Sequence, residues 1–197
     1  MTARPYLHPL VVRVTHWINA FGIVVMMLSG WAIYNAHPIF PFSFPKDITL
    51  GGGFIGALRL HFAAMWLVMA NTLIMIGYGV ISGRYARRLW PLRPTDLWRD
   101  IAAALSGKLA HSDISHYNAV QKLLYASAIF GVVGVVVTGL AIWKPVQLQF
   151  ITLLLGDFDI ARILHFLAMA GLALFILIHV SMALLVPRSM LSMLRGW

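Results

Sequence analysis

Four histidines lie inside apolar stretches of this chain, and their spacing indicates metal chemistry. His165 and His179 stand fourteen residues apart in RILHFLAMAGLALFILIHV, and His16 and His61 occupy two other apolar stretches. An ionisable side chain at membrane depth is costly and is by default a candidate functional residue. Along a helix, fourteen residues rise by roughly 21 Å and turn by only about 40° beyond whole turns. His165 and His179 therefore share one face of their helix.

The predicted depths of these histidines arrange them as two pairs. His61 and His165 lie near the outer surface, and His16 and His179 lie nearer the inner surface. Two imidazoles on facing helices can supply both axial ligands of a haem iron in a helical bundle. We therefore expect an outer haem between His61 and His165 and an inner haem between His16 and His179. The alternative is a set of histidines that relay protons or join helices by hydrogen bonds.

The elements that must position the histidines are four membrane spans. The chain is 60% hydrophobic and 11% charged, whereas a soluble domain carries about 25% charged residues. A hydrocarbon core requires about 20 apolar residues for each crossing helix. Stretches of that length lie near 11–34, 57–82, 118–142 and 161–186. We predict one all-α domain over residues 1–197, an integral membrane four-helix bundle of two in–out–in hairpins.

The charged residues report the orientation of these spans. Most Lys and Arg lie before the first span, in the segment 83–118 and in the tail, which places both termini in the cytoplasm by the positive-inside rule. The net charge of +9 therefore reflects topology, and no nucleic-acid partner is expected. Within the polar segment, residues 95–106 are expected to form a helix on the cytoplasmic membrane surface. The first outer connection, HPIFPFSFPKD, is expected to be irregular and interfacial.

Missing residue types exclude several other kinds of site. The chain has no Cys, which rules out disulfides, iron–sulfur clusters and covalent haem attachment. It has no Glu, and its Asp residues lie outside the predicted spans, which argues against buried carboxylate chemistry.

The two halves of the chain resemble each other. LSGWAIY at 28–34 aligns with VTGLAIW at 137–143, and RLHFAAM at 59–65 aligns with RILHFLAM at 162–169 after one inserted residue. Two in–out–in repeats are parallel, with a pseudo-two-fold axis along the membrane normal. His61 and His165 are equivalent under this repeat, so the outer haem is expected near that axis. At the inner level, Tyr125 replaces His16 and Met75 replaces His179, which indicates a specialised site.

Arginines and glycines near the histidines fit the same hypothesis. Arg13, Arg59 and Arg162 lie two or three residues before a histidine, where a guanidinium could bind a haem propionate. The alternative is anchoring at the membrane edge. Gly30 lies fourteen residues after His16 and is expected to face the outer haem, with Gly139 as its counterpart in the third span. The alternative for both glycines is helix packing through small residues.

Several stretches of the chain resemble the prokaryotic cytochrome b561 family. They are HPLVVRVTHWINAFGIVVMMLSGWAIY, the HF of the second span, YNAVQKLLY and ARILHFLAMAGLALFILIHV, and the resemblance covers nearly the whole chain. This family includes the cytochrome b subunits of nickel–iron hydrogenases and formate dehydrogenases. The loop WPLRPTDLWRD and YNAVQKLLY are most similar to small subunits that accompany periplasmic molybdopterin oxidoreductases. The resemblance implies two non-covalent b haems, bis-histidine ligation by His16, His61, His165 and His179, and electron exchange with quinone.

The function expected from these features is electron transfer between membrane quinone and a periplasmic redox partner, in the bacterial inner membrane. Bis-histidine ligation leaves no open iron position, so no catalytic residue is assigned and a subunit is favoured over a stand-alone enzyme. The first alternative is a superoxide oxidase that passes electrons to quinone. The second is a proton or metal transporter with a histidine relay. Other expected partners are membrane lipid and a second copy of the chain in a homodimer.

Overall fold

The structure, a computed structural model, describes residues 8–83, Trp98, 119–185 and 187–196, and it is helical without strands in these ranges. Its helices are α1 Leu10–Ala36, α2 Phe54–Ile81, α3 Ala119–Trp143, α4 Gln149–Leu155, α5 Phe158–Leu185 and α6 Pro187–Arg195, with a 3-10 turn at Lys46–Ile48. Four of the described helices are long and apolar enough to cross a membrane: α1, α2, α5 and the part of α3 over Ala126–Trp143. The predicted all-α fold with four spans is confirmed.

Two described helices were not predicted. α4 has seven residues, too few to cross a membrane, and lies in the connection between α3 and α5. α6 begins at Pro187, directly after the last span, and proline suits the first position of a helix. The predicted surface helix at 95–106 lies outside the described residues except for Trp98.

The chain forms two compact units, each built on one helix pair. The first unit comprises Met1–Arg84 with Leu191–Trp197, and the second comprises Tyr85–Met190. In the first unit, α1 packs antiparallel along α2, and Gly22 of α1 lies against the side chain of Val68. In the second, α3 packs antiparallel along α5, and Gly131 lies against Leu172 in the same way. Each half of the sequence repeat is therefore a helical hairpin with a glycine at its contact.

The connection between α1 and α2 is irregular, as expected, but well supported by its own contacts. The Asn35 amide pairs with the backbone N–H and C=O of Phe44, both at 2.8 Å. Trp31 stacks on Phe44 with ring centroids 4.7 Å apart, and Tyr34 packs against Phe42 and Phe44 at 5.4 Å. The Tyr34 hydroxyl also pairs with the backbone of Phe40. These aromatic contacts fix the connection on the end of α1.

Candidate functional site

His61 on α2 has a fixed protonation pattern. Its Nδ1 lies 3.0 Å from the carbonyl oxygen of Met26 and 3.3 Å from the Ser29 hydroxyl, both on α1. Because a carbonyl oxygen can only accept, Nδ1 must carry the proton and donate it. The lone pair of the neutral ring is then on Nε2. A ring held in this way is in the form that binds a metal through Nε2.

His165 on α5 has the same pattern in the second hairpin. Its Nδ1 lies 3.0 Å from the Thr138 hydroxyl of α3. That hydroxyl donates its own proton to the Gly134 carbonyl at 2.6 Å, so its oxygen is left to accept from Nδ1. Nε2 of His165 is therefore the unprotonated nitrogen as well. The two histidines that are equivalent in the sequence repeat share both their partner type and their tautomer.

The two candidate glycines lie beside these same rings. A Cβ atom added to Gly30 would lie 3.5 Å from Cε1 of His61, and one added to Gly139 would lie 3.3 Å from Cε1 of His165. The missing Cβ of Gly139 thus avoids a tight contact with its ring, whereas a Cβ at Gly30 would make an ordinary van der Waals contact. Contact of either glycine with a haem stays a prediction.

The inner histidines have different surroundings. His16 on α1 is half-buried and meets Trp17 edge-on, with ring centroids 5.3 Å apart. His179 on α5 is also half-buried and stacks on Phe175 at 5.6 Å with 15° between the planes. The pairing of His16 with His179, and that of His61 with His165, stays a prediction.

A polar cluster next to His16 was missed from the sequence. Buried Asn71 of α2 donates through Nδ2 to the Thr15 carbonyl at 2.6 Å and to Asn19 Oδ1 at 2.7 Å, and Thr72 reaches Asn19 at 3.5 Å. The cluster therefore holds α2 against the turn of α1 that carries His16. The signal that could have found it is an amide side chain in each of two neighbouring apolar stretches, Asn19 and Asn71.

The three candidate arginines have separate environments. The Arg13 guanidinium donates to the carbonyl oxygens of Met193, at 3.3 Å, and Leu194, at the end of α6. These carbonyls lack partners within the helix, so Arg13 caps α6. Arg162 lies 3.6 Å from the carboxylate of Asp159 one turn earlier, and Arg59 is exposed. Their binding of propionates stays a prediction.

The donor set at His61 and His165 fits a haem. Each ring donates through Nδ1, and in its neutral form it then has its lone pair on Nε2, which is the form of an axial imidazole ligand. Each ring also lies beside a glycine, and at Gly139 a β-carbon would stand closer to the ring than ordinary van der Waals contact.

The sequence is similar to known proteins over nearly its whole length. The family model for prokaryotic cytochrome b561 matches residues 7–196. A putative protein-methionine-sulfoxide reductase subunit, YedZ1, of Azospira oryzae is 46% identical over 96% of both chains. A probable Ni/Fe-hydrogenase B-type cytochrome subunit of Azotobacter chroococcum is 26% identical over 98% of this chain and 87% of its own. The formate dehydrogenase cytochrome b556(fdo) subunit of Escherichia coli is 27% identical over 94% and 81%.

These matches span the four apolar helices and all four candidate histidines, and they confirm the resemblance seen in the sequence. The chain belongs to the prokaryotic cytochrome b561 family and is a multi-pass b-type cytochrome of the bacterial inner membrane.

Proposed function

We propose that this protein carries electrons across the bacterial inner membrane, between quinone and a redox enzyme on the periplasmic side. The observation that carries the proposal is the shared tautomer of His61 and His165, with Nδ1 donating and Nε2 unprotonated. Metal-ligating histidines almost always donate their other ring N–H in this way, whereas a proton relay does not call for the same tautomer at two equivalent positions.

The four histidines would hold two b haems, His61 and His165 the outer one and His16 and His179 the inner one. A bound haem supplies a one-electron iron couple. The protein orients the imidazoles of His61 and His165 by their Nδ1 hydrogen bonds, and all four histidines lie on long apolar helices. With two histidines on each iron no position stays open, which favours electron transfer over a reaction at the metal.

The charges of the chain support an orientation with both termini in the cytoplasm. The basic residues before α1 and in the segment 83–118 would then face the cytoplasm. His61 and His165, each in the first turns of a helix that starts outside, would lie close to the periplasm. Exposed Arg59 and half-buried Arg162 precede these histidines and would be placed to meet propionates or an acidic partner surface.

The names of the relatives favour a reductase as the partner. The relative that is 46% identical is named as a subunit of a putative protein-methionine-sulfoxide reductase, while those named for hydrogenase and formate dehydrogenase are 26% and 27% identical. A reductase consumes electrons. Electrons would therefore flow from quinol through the inner and outer haems to a periplasmic enzyme, for which the sequence favours a molybdopterin type.

The test is a haem-to-protein ratio with a reduced-minus-oxidised spectrum, on full-length protein purified in detergent from cells with ample haem. We expect two low-spin b haems per chain, both reduced on addition of a quinol. A single haem would contradict one of the two histidine pairs. A colourless protein would overturn the proposal and return the histidines to a transporter. Reduction of the haems by superoxide but not by quinol would favour the superoxide oxidase.

A further inference from the structure

We propose that the hydroxyls of Ser29 and Thr138 are positioning groups that fix the orientation and electron-donor strength of the outer histidines. This inference rests on the proposed function, since it concerns His61 and His165 as ligands of the outer haem. Neither hydroxyl would touch iron. Each would act through the imidazole to which it is hydrogen-bonded.

The two hydroxyls are matched in position and in bonding. Each directly precedes one of the glycines that pack on a histidine ring, and each is buried, with exposed fractions of 0% for Ser29 and 4% for Thr138. Ser29 donates to the Val25 carbonyl and Thr138 to the Gly134 carbonyl, both at 2.6 Å. With its proton committed to its own helix, each hydroxyl can only accept from the facing imidazole. The helix thus sets the polarity of the contact.

Accepting from Nδ1–H changes the chemistry of the ring. Such a bond raises the basicity of the opposite nitrogen, as outer-shell partners of metal-bound histidines generally do. A more basic Nε2 stabilises the oxidised, more positive iron over the reduced one. The hydroxyls are therefore expected to lower the reduction potential of the outer haem.

The hydroxyl is the group that restricts the rotation of each ring. Thr138 Oγ1 lies 3.0 Å from Nδ1 of His165, and Ser29 Oγ lies 3.3 Å from Nδ1 of His61. The next residue on each helix is a glycine, which adds no side-chain atom against the ring. A Cβ at Gly139 would stand 3.3 Å from Cε1 of His165, and one at Gly30 would stand 3.5 Å from Cε1 of His61.

The two hydroxyls should differ in strength. His61 donates to the Met26 carbonyl at 3.0 Å as well as to Ser29 at 3.3 Å, so Ser29 holds the longer arm of a shared bond. Thr138 lies at the shorter distance of 3.0 Å from His165. Loss of the Thr138 hydroxyl should therefore change the outer haem more than loss of the Ser29 hydroxyl.

The experiment is a potentiometric titration of the full-length, haem-loaded protein, with electron paramagnetic resonance of the oxidised haems. Thr138→Val keeps the side-chain shape and removes the acceptor. The outer haem is identified as the redox component that is missing in His61→Ala. We expect its reduction potential to rise by about 59 mV, which is about a tenfold change in the reduced-to-oxidised ratio for one electron. Ser29→Ala should give a smaller rise, and Thr138→Ser should keep the original potential.

Thr15→Val is the matched control. The Thr15 hydroxyl is buried and bonds the Val11 and Val12 carbonyls of its own helix, as Ser29 and Thr138 bond theirs, and it makes no bond to a histidine ring among the described residues. It should leave the outer potential and the outer resonance unchanged.

The outcomes separate this inference from the proposed function. If Thr138→Val binds both haems with an unshifted outer potential, the inference is wrong and the electron-transfer proposal stands. A Thr138→Ser variant that shifts as far as Thr138→Val would also overturn it, because the hydroxyl would not be the cause. If Thr138→Val does not accumulate, an unshifted Ser29→Ala decides against it. Absence of haem from the unmodified protein overturns the proposed function itself.

Discussion

The two hairpins are alike around their outer histidines and differ around their inner ones. In both, a hydroxyl and a glycine of the first helix meet the histidine ring of the second: Ser29 and Gly30 at His61, Thr138 and Gly139 at His165. Further along the same helices, the first hairpin has Asn71 bonded to the backbone of α1. The second has Phe175 at the equivalent place, stacked on His179.

This contrast shows how two similar hairpins can share the same arrangement at the outer histidines and differ at the inner ones. The outer halves can remain alike because each would supply one equivalent ligand. At the inner level each hairpin would supply its ligand from a different helix, His16 from α1 and His179 from α5. The first hairpin has polar contacts beside His16, and the second packs His179 against an aromatic ring.

The largest expected effect comes from removing an outer ligand. His61→Ala and His165→Ala should each lower the haem content from two to one per chain, and both should leave the same spectrum and potential, because both rings would bind one iron. His179→Ala should leave the other haem. Haem-to-protein ratios and redox titrations of the three variants measure this. Different remaining haems in the two outer variants would break the equivalence of the hairpins.

A smaller effect is expected at the two packing glycines. A Cβ at Gly22 would collide with Cγ2 of Val68, whereas one at Gly131 would meet the Cδ2 tip of Leu172 at 2.8 Å. Valine is stiff at χ1, while the end of a leucine side chain can move aside. Gly22→Ala should therefore lower the free energy of unfolding by about 1–3 kcal/mol, and Gly131→Ala by less.

Thermal unfolding of the purified variants in one detergent measures that difference. Gly77→Ala, where an added Cβ has open space in α2, is the control for the change in helix propensity. A larger loss in Gly131→Ala than in Gly22→Ala would show that the second contact is the more rigid one.

The smallest effect is expected at the position where the hairpins diverge. Asn71→Leu removes the bonds to the Thr15 carbonyl and to Asn19 and should cost about 1 kcal/mol of stability, the usual value for a polar contact between membrane helices. Phe175→Leu at the equivalent position removes no hydrogen bond. It should instead alter the resonance of the haem that survives in His61→Ala. Thermal unfolding measures the stability of both variants, and electron paramagnetic resonance measures the haem signal. An equal loss of stability in Asn71→Leu and Phe175→Leu, with no change in the haem resonance of Phe175→Leu, would contradict the proposed difference between the two hairpins.

The spans were predictable from hydropathy, but their ends were not. The span predicted from 161 belongs to a helix that begins at Phe158, because the Asp157 carboxylate accepts from the Ile160 N–H at 2.7 Å and so caps the helix. Hydropathy measures transfer into hydrocarbon, whereas a helix end is set by hydrogen bonds. α4 was missed for the related reason that seven apolar residues do not distinguish a short helix from a loop.

The sequence predicts which residues form the site, and that stays a prediction, but it did not predict the contacts that these residues make. The Ser/Thr-Gly element of the repeat was visible in the sequence, yet its meeting with a histidine depends on the register between two helices. Arg13 shows the same limit. Its distance from His16 along the chain predicts contact with a propionate, which stays a prediction, but its bond to the end of α6, which is far away in sequence, could not be predicted.

The clamped connection between α1 and α2 has a consequence for association. The Asn35 amide and the stacked rings of Trp31 and Phe44 already hold this segment in one conformation. The ordering of flexible side chains and loops is a main cost of binding. Because this segment is already ordered, a protein that binds to it would cause only a small loss of conformational entropy. The affinity of a partner for this connection would then depend chiefly on the shape and chemical complementarity of the partner's surface.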